Sequence, residues 1–228
     1  MAFGNGPKIV TEGLVLALDA ADRNSYVSGS TTWLDISGTG GIDTLTNCGF
    51  DSSNEGTITF NPLVSGSSTI NHASQSLNEI TVNVWYYSNA TTSQALTRAN
   101  GSGVNNCFIL HYRGAGFYLT ASDNTTSGYL DWDTAPASLR WNMLTGTWNG
   151  ATMKLYTNGV KQASELAFAG GPSNILKSFG LIQLGYYFNS GQTYTNGKIA
   201  NFALYNRALL ATEIQQNYEA QKSRFNIT

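Results

Sequence analysis

The chain reads Gly197-Lys198-Ile199-Ala200-Asn201-Phe202-Ala203-Leu204-Tyr205-Asn206-Arg207-Ala208-Leu209 near its C-terminal end. This stretch has the pattern of a turn that leads into a β-strand. Residues 211–222 follow it with the pattern of a short amphipathic helix. Leu210, Ile214 and Tyr218 lie four residues apart, which predicts an apolar stripe facing a sheet. The sequence therefore predicts a terminal strand and a helix that packs against the sheet.

Strand patterns outnumber helix patterns along the rest of the chain. Residues 80–87 alternate, which places Val82 and Val84 on one face of a strand and Asn83 and Trp85 on the other. Further predicted strands are Leu14–Leu18, Thr57–Phe60, Phe108–Tyr112, Phe117–Ala121, Leu181–Tyr187 and Ile199–Tyr205. Because the strands are many and short and the one predicted helix comes late, the pattern is typical of a β-sandwich or jelly roll.

Two Asn-Gly pairs divide residues 141–161 into three strands. Trp141–Trp148 precedes Asn149-Gly150, and Met153–Thr157 precedes Asn158-Gly159. Asn-Gly accepts the positive φ angles of a type I′ turn, which joins adjacent antiparallel strands. The sequence therefore predicts a three-stranded antiparallel meander here.

Length and composition predict a single domain over residues 1–228. A chain of 228 residues can bury one large core, and charged residues make up only 11% of it, with a net charge of −2. That charge provides no basic surface for nucleic acid, and no run is long and apolar enough to insert in a membrane. Cys48 and Cys107 are the only cysteines, and no signal-peptide pattern is present. We therefore expect reduced thiols and synthesis in a cytoplasm.

Three stretches carry a resemblance to a known family. They are Pro7–Ala20 with Thr32–Gly38, then Trp141–Gly159, and finally the C-terminal stretch quoted above. Together they resemble the LamG-like, concanavalin A-like lectin/glucanase jelly rolls. The opening stretch resembles LamG-like modules in virion and appendage proteins of tailed bacteriophages. The resemblance implies an all-β fold: an antiparallel two-sheet β-sandwich of the concanavalin A-like jelly-roll type with one short C-terminal helix.

Two positions depart from the family pattern. The family commonly carries Asp after Gly-x-Ile, where this chain has Ala200, and in calcium-binding relatives acidic groups on such rims help to hold the ion. The Ser or Thr that usually caps the final helix is replaced by Leu210. We therefore expect this helix to begin at a different residue or to depend more strongly on packing.

The acidic residues of the opening stretch are nevertheless candidate calcium ligands. Asp19, Asp22 and Asp35 could supply hard oxygen ligands together with amide and backbone oxygens. The alternative interpretation is that these short polar side chains form Asx-turns and caps. We favour the alternative, in which the protein needs no cofactor.

A glycosidase of this fold would need a pair of carboxyl groups at a defined separation. No Glu-x-Asp-x-Glu motif or near variant occurs, and only Asp131-Trp132-Asp133 places two carboxylates at positions i and i+2. The simpler interpretation of this motif is a strand end with two solvated Asp side chains. We assign no catalytic residue and expect that the protein is not an enzyme.

Sugar recognition needs an aromatic face and polar groups that bind hydroxyls. The candidates for glycan contact are Trp132, flanked by Asp131 and Asp133, and Tyr187 with Asn189. Strand alternation sends neighbouring side chains to opposite faces, so the alternative is core packing or burial in a protein interface.

These observations lead to three functional hypotheses. The first is a non-enzymatic bacteriophage virion protein, a capsid decoration or tail-appendage subunit, whose lectin-like fold contacts host or environmental glycans. Its expected partners are other virion proteins, further copies of the chain in a homo-oligomer, and cell-surface glycans. The alternatives are a free carbohydrate-binding lectin and a glycoside hydrolase or lyase of the same fold.

Overall fold

The computed structural model describes residues 7–228 except 93, 102–103, 114–115, 124, 172, 174 and 188–192; the side chains of 72–74, 101, 104–106, 187 and 193 are also left undescribed. The strands are β1 (Leu14–Asp19), β2 (Thr32–Leu34), β3 (Ile42–Thr46), β4 (Gly49–Asp51), β5 (Thr57–Phe60), β6 (Ser67–Gln75), β7 (Ile80–Ser88), β8 (Gln94–Gly101), β9 (Val104–Tyr112), β10 (Phe117–Thr120), β11 (Ser127–Leu130), β12 (Trp141–Trp148), β13 (Thr152–Thr157), β14 (Val160–Ala167), β15 (Phe179–Leu184), β16 (Tyr186–Tyr187), β17 (Thr193–Tyr194) and β18 (Gly197–Tyr205). One α-helix, α1 (Ala211–Gln221), follows, and a 3-10 turn (Lys222–Phe225) extends it.

Two antiparallel sheets form a sandwich. Sheet A has the order β14-β13-β12-β7-β18-β5-β4, and β1 also pairs with β18. Sheet B has the order β11-β10-β9-β8-β15-β6-β3-β2, and β16 and β17 form a separate two-stranded hairpin. This arrangement confirms the predicted all-β, two-sheet fold with one short C-terminal helix. No helix in the described part of the chain is long and apolar enough to span a membrane.

Side-chain alternation divides the strands of sheet A between two apolar clusters. Val82 and Val84 of β7 lie in the main core between the sheets, with Phe108 and Ile182 from sheet B. Trp85 of the same strand faces outward and belongs to a second cluster, under α1. The alternation predicted for residues 80–87 is confirmed, and it gives sheet A a second buried face.

Helix α1 and the 3-10 turn cover that second face. The indole ring of Trp85 stacks on Phe225, with ring centroids 4.2 Å apart, and on Tyr218 at 5.7 Å. Ile214 is fully buried in the same cluster. Leu210, however, is 66% exposed, so its predicted place in the apolar stripe is wrong. Leu209 is buried instead, because the chain enters the helix with extended geometry at residue 210.

The Glu213 carboxylate binds the backbone at the start of α1, where a cap hydroxyl is missing. Leu210 is the N-cap residue, and its backbone N–H donates to Glu213 Oε2 over 2.8 Å. Arg207 donates from both terminal nitrogens to the two carboxylate oxygens of Glu213, at 2.8 and 2.6 Å. These bonds hold the pKa of Glu213 below its usual value, the Arg207 hydrogen bond being the main cause. The helix therefore begins where the sequence pattern places it, with only the glutamate half of a capping box: Glu213 accepts from the Leu210 N–H, and the Leu210 side chain accepts no hydrogen bond.

The meander of β12, β13 and β14 is confirmed, but its two turns differ. Asn158 and Gly159 both have positive φ, 53° and 81°, as a type I′ turn requires. At the first turn only Gly150 has positive φ. There Asn149 Oδ1 accepts from the backbone N–H groups of Ala151 and Thr152, which makes a three-residue connection. The prediction of a second type I′ turn is therefore wrong.

Candidate functional site

The segment 131–133 runs beside the exposed edge of sheet A. Gln162 of edge strand β14 donates from Nε2 to the Asp131 carbonyl over 2.9 Å and accepts at Oε1 from the Asp133 N–H over 3.0 Å. Asp133 Oδ2 in turn accepts from the Ser164 N–H over 2.8 Å. Hydrogen bonds from Ser164 are the main cause of a lowered pKa at Asp133. The segment therefore provides hydrogen-bond partners for the Ser164 N–H and the Gln162 amide of edge strand β14. The Ser164 N–H would otherwise be open for pairing with another strand.

Trp132 points from the same segment towards the interior. Its ring packs against the main core, and its Nε1–H donates to the His111 carbonyl over 3.0 Å. Gly116 makes room for the ring, since a Cβ there would lie 2.8 Å from Trp132 Nε1. The predicted alternative, core packing, describes this half-buried tryptophan better than an exposed platform does.

The second predicted glycan segment lies at the β16–β17 hairpin. Tyr187 pairs with Thr193 in this hairpin, and Asn189 lies outside the described residues. The neighbouring rings of Tyr186 and Tyr194 have centroids 5.0 Å apart. The guanidinium carbon of Arg98, in β8, lies 5.8 Å from the Tyr186 centroid. The rings of Tyr186 and Tyr194 thus lie together beside sheet B.

The outward surface of sheet B, here called the free face, is not covered by a helix among the described residues. Cross-strand pairing aligns one outward residue from each of six strands: Thr69, Gln183, Arg98, Ile109, Tyr118 and Tyr129. At a strand spacing of about 4.8 Å, the distance across the strands from Arg98 to Tyr129 is about 14 Å. Arg98 and Ile109, in the middle of the row, are each only 3% exposed, so the row presents its polar and aromatic groups to the surface at its two ends.

Two tyrosines form the exposed end of this row. The rings of Tyr118 and Tyr129 lie 4.5 Å apart, and Tyr129 is 60% exposed. The Tyr118 hydroxyl accepts from Thr120 Oγ1 over 2.6 Å and lies 3.1 Å from Ser127 Oγ. A supported, exposed aromatic ring beside the hydroxyl groups of Tyr118 and Ser127 can stack on a sugar and bind its hydroxyls.

A polar network supports the middle of the row. Arg98 is only 3% exposed and donates to Asn100 Oδ1 over 2.9 Å. Asn100 Nδ2 donates in turn to Gln183 Oε1 over 3.2 Å. Because Arg98 is buried beneath Tyr186, it positions the surrounding groups, and the half-buried amides of Asn100 and Gln183 reach the surface.

Tyr118 and Tyr129 were not among the residues that the sequence patterns predict for glycan contact. A usable signal was present, because Phe117 and Leu119 are buried in the core and Tyr118 between them must face the other way. What the sequence left open was which outward faces the helix would cover.

The three calcium candidates are engaged separately. Asp19 Oδ1 accepts from Arg224 Nη1 over 2.8 Å, and Asp22 Oδ1 caps its own turn at the Asn24 N–H, also over 2.8 Å. Across the part of the chain that is described, no three His, Cys, Asp or Glu side chains form a group that could hold a metal ion.

Asp35 is surrounded by donors within its own loop. Burial acts to raise its pKa, but hydrogen bonds from Ala17, Ser37 and Thr39 outweigh burial and lower it. Such donors occupy the carboxylate oxygens that calcium would need. This geometry matches the Asx-turn interpretation, and the residues do not fit a calcium site.

Solved structures with the same fold share little sequence with this chain. The binding domain of botulinum neurotoxin serotype G is 15% identical, with a TM-score of 0.70 over 92% of this chain and 51% of that one. The serotype D ligand-binding domain in complex with N-acetylneuraminic acid is 16% identical, with a TM-score of 0.68, over 93% of this chain and 52% of that one. A Trypanosoma rangeli sialidase mutant displaying trans-sialidase activity is 16% identical, with a TM-score of 0.64, over 96% of this chain and 35% of that one.

This chain thus spans about half of the toxin domains and a third of the sialidase. No curated protein sequence matches it. Residues 64–215, however, match a family described as the concanavalin A-like lectin/glucanases superfamily. That match covers most of both sheets and the start of α1. On sequence and architecture together, the chain belongs to the concanavalin A-like lectin/glucanases superfamily.

Proposed function

We propose that the chain is a non-catalytic glycan-binding module carried on a bacteriophage particle, as a capsid decoration or tail-appendage subunit. The observation that carries the glycan-binding part is Tyr129, 60% exposed and supported by Tyr118 on the free face of sheet B. Exposed aromatic rings on a rigid strand lose little entropy when they stack on a ligand. The lectin/glucanase fold is consistent with this use, and it does not by itself assign a ligand.

Binding measurements on matched variants test this part. Tyr129→Ala removes the ring and should abolish or strongly weaken binding to any glycan that the native protein binds, whereas Tyr129→Phe keeps the stacking surface and should bind within a few-fold of native. Leu63→Ala is the control, because Leu63 is 91% exposed and lies outside the row. Unchanged glycan binding by Tyr129→Ala would contradict the proposal.

The non-catalytic part has its own test. The carboxylate of Asp133 is bonded to the backbone of β14, and the segment 131–133 serves the sheet edge. Incubation with the bound oligosaccharide should therefore release no new reducing ends and no unsaturated products. Turnover would instead support the hydrolase or lyase alternative.

The virion part is supported by the resemblance of Pro7–Ala20 and Thr32–Gly38 to modules of phage structural proteins. Mass spectrometry of purified particles from the source phage should detect the chain at a fixed copy number. Glycan binding by a chain that is absent from the particles would contradict the virion part and support the free-lectin alternative.

A further inference from the structure

A groove lies on the sheet A side of the molecule, apart from the free face. It consists of two cavities of about 510 and 410 Å³. Arg140 and Asn158 line both cavities, so they mark the place where the two meet. Tyr87 and Trp141 form a wall of the smaller cavity.

The junction of the two cavities presents uncommitted donors. Arg140 is exposed, and its guanidinium makes no hydrogen bond or ion pair with any described residue. Asn158 uses Oδ1 to accept from the Met143 N–H over 2.8 Å, and its Nδ2 donor has no partner among the described residues. A cation with planar donors beside an amide N–H favours a ligand with negatively charged acceptor oxygens.

Other polar groups around the larger cavity are already engaged. Lys161 forms an ion pair with Glu165 at 3.3 Å. The Gln162 amide is bonded to the segment 131–133 at both ends, and Asp133 accepts from Ser164. The positive charge of the groove is therefore concentrated at Arg140.

The walls of the larger cavity combine two kinds of surface. Thr134 and Thr157 provide hydroxyl groups, whereas the amide of Asn142 is buried and donates to the carbonyls of Ala137 and Arg140. Short apolar side chains lie between them: Ala135, Pro136, Ala137 and Ala163. This mixture suits the hydroxyl groups and C–H faces of a saccharide better than it suits a purely inorganic anion.

We infer that this groove is a second binding site, for a carboxylate-bearing saccharide whose carboxylate binds Arg140 and the Nδ2 of Asn158 at the junction of the cavities. The site does not depend on glycan binding at the free face. The proposal for either site can therefore be disproved without affecting the proposal for the other.

Calorimetric titration with matched probes tests this inference. The probes are tetragalacturonate, its fully methyl-esterified form and tetraglutamate. The proteins are native, Arg140→Gln, Asn158→Asp and Tyr129→Ala. Asn158→Asp keeps the acceptor oxygen for Met143 and a residue type that tolerates positive φ, but it replaces the donor with a negatively charged acceptor. Equal melting temperatures and near-UV spectra would show that each variant is folded.

Native protein should bind tetragalacturonate at least about tenfold more tightly than the ester, since charge-assisted hydrogen bonds are lost with the charge. Arg140→Gln and Asn158→Asp should each weaken binding roughly tenfold or more, while Tyr129→Ala should leave it unchanged. Four results would each overturn the inference: no binding of tetragalacturonate, equal binding of acid and ester, native affinity in Arg140→Gln, or tetraglutamate binding as tightly as tetragalacturonate.

Discussion

The guanidinium of Arg224 lies 2.8 Å from Asp19 Oδ1 and joins residues that are 205 positions apart. Arg224 also donates from Nε to the Asn54 carbonyl over 2.7 Å and from Nη2 to the Gly56 carbonyl. Its side chain is only 8% exposed. The end of the chain is thereby fixed to the end of β1, and the carboxylate that the sequence offered for calcium serves this contact instead.

Arg224→Gln should destabilise the protein by about 2–4 kcal/mol, because it leaves Asp19 and two backbone carbonyls without their donor. Urea unfolding measures the change. Lys161→Gln is the control, since its ion pair with Glu165 is exposed and should contribute little. Equal stability of the Arg224 variant and native protein would show that the chain end is not fixed through this residue.

Asp43 should make stability fall as pH rises from about 4 to 7. Burial raises its pKa to about 7, from 3.8 in the unfolded chain. The folded state therefore holds the proton more tightly than the unfolded state. The contribution of Asp43 to the free energy of unfolding is complete below about pH 4 and lost above about pH 7. Its size is roughly 3–5 kcal/mol. Asp43→Asn should remove this slope in urea unfolding measured across that range, and a slope unchanged from native would exclude Asp43 as its source.

His111 should have the opposite effect on the pH dependence, making stability fall as pH is lowered. Burial lowers its pKa to about 4, from 6.5 in the unfolded chain. The unfolded state then binds the proton more tightly, so the contribution is complete above about pH 6.5 and is lost as pH falls through about 4. In the Asp43→Asn background, stability should therefore fall on acidification, and His111→Gln should flatten the curve. A remaining slope of the same size in the double variant would point to another group.

Gly185 should be intolerant of any side chain. Its φ is 71°, and a Cβ there would collide with the ring of Phe60. Gly185→Ala should cost several kcal/mol, of which positive φ accounts for about 1–2 kcal/mol. Gly38→Ala is the matched control, because Gly38 also has positive φ, 95°, but open space around it. In thermal unfolding, Gly185→Ala should lower the Tm clearly more than Gly38→Ala does. Equal losses of Tm would show that the ring of Phe60 does not restrict position 185.

Local patterns in the sequence were enough to predict most strands and the helix. Alternation along β7 and the Asn158-Gly159 turn depend on neighbouring residues alone, so the chain itself carries that information. The exposed position of Leu210 was not accessible in this way, because it depends on the angle at which the chain enters α1.

The candidate site was much less predictable than the fold. The role of Asp133 depends on Ser164, 31 residues away across a sheet edge. Tyr129 becomes a candidate only because α1 covers sheet A and not sheet B, and this choice is made by the packing of Trp85 on Phe225. Long-range packing of this kind leaves no local pattern in the sequence.

The central claim is that the free face of sheet B binds glycans through Tyr129. A glycan array probed with native protein and with Tyr129→Ala, each with calcium and with chelator, tests it most directly. We expect the native protein to bind a defined group of glycans equally in calcium and chelator, and the variant to lose that binding. A blank array for native protein, or an identical glycan profile for Tyr129→Ala, would contradict the claim.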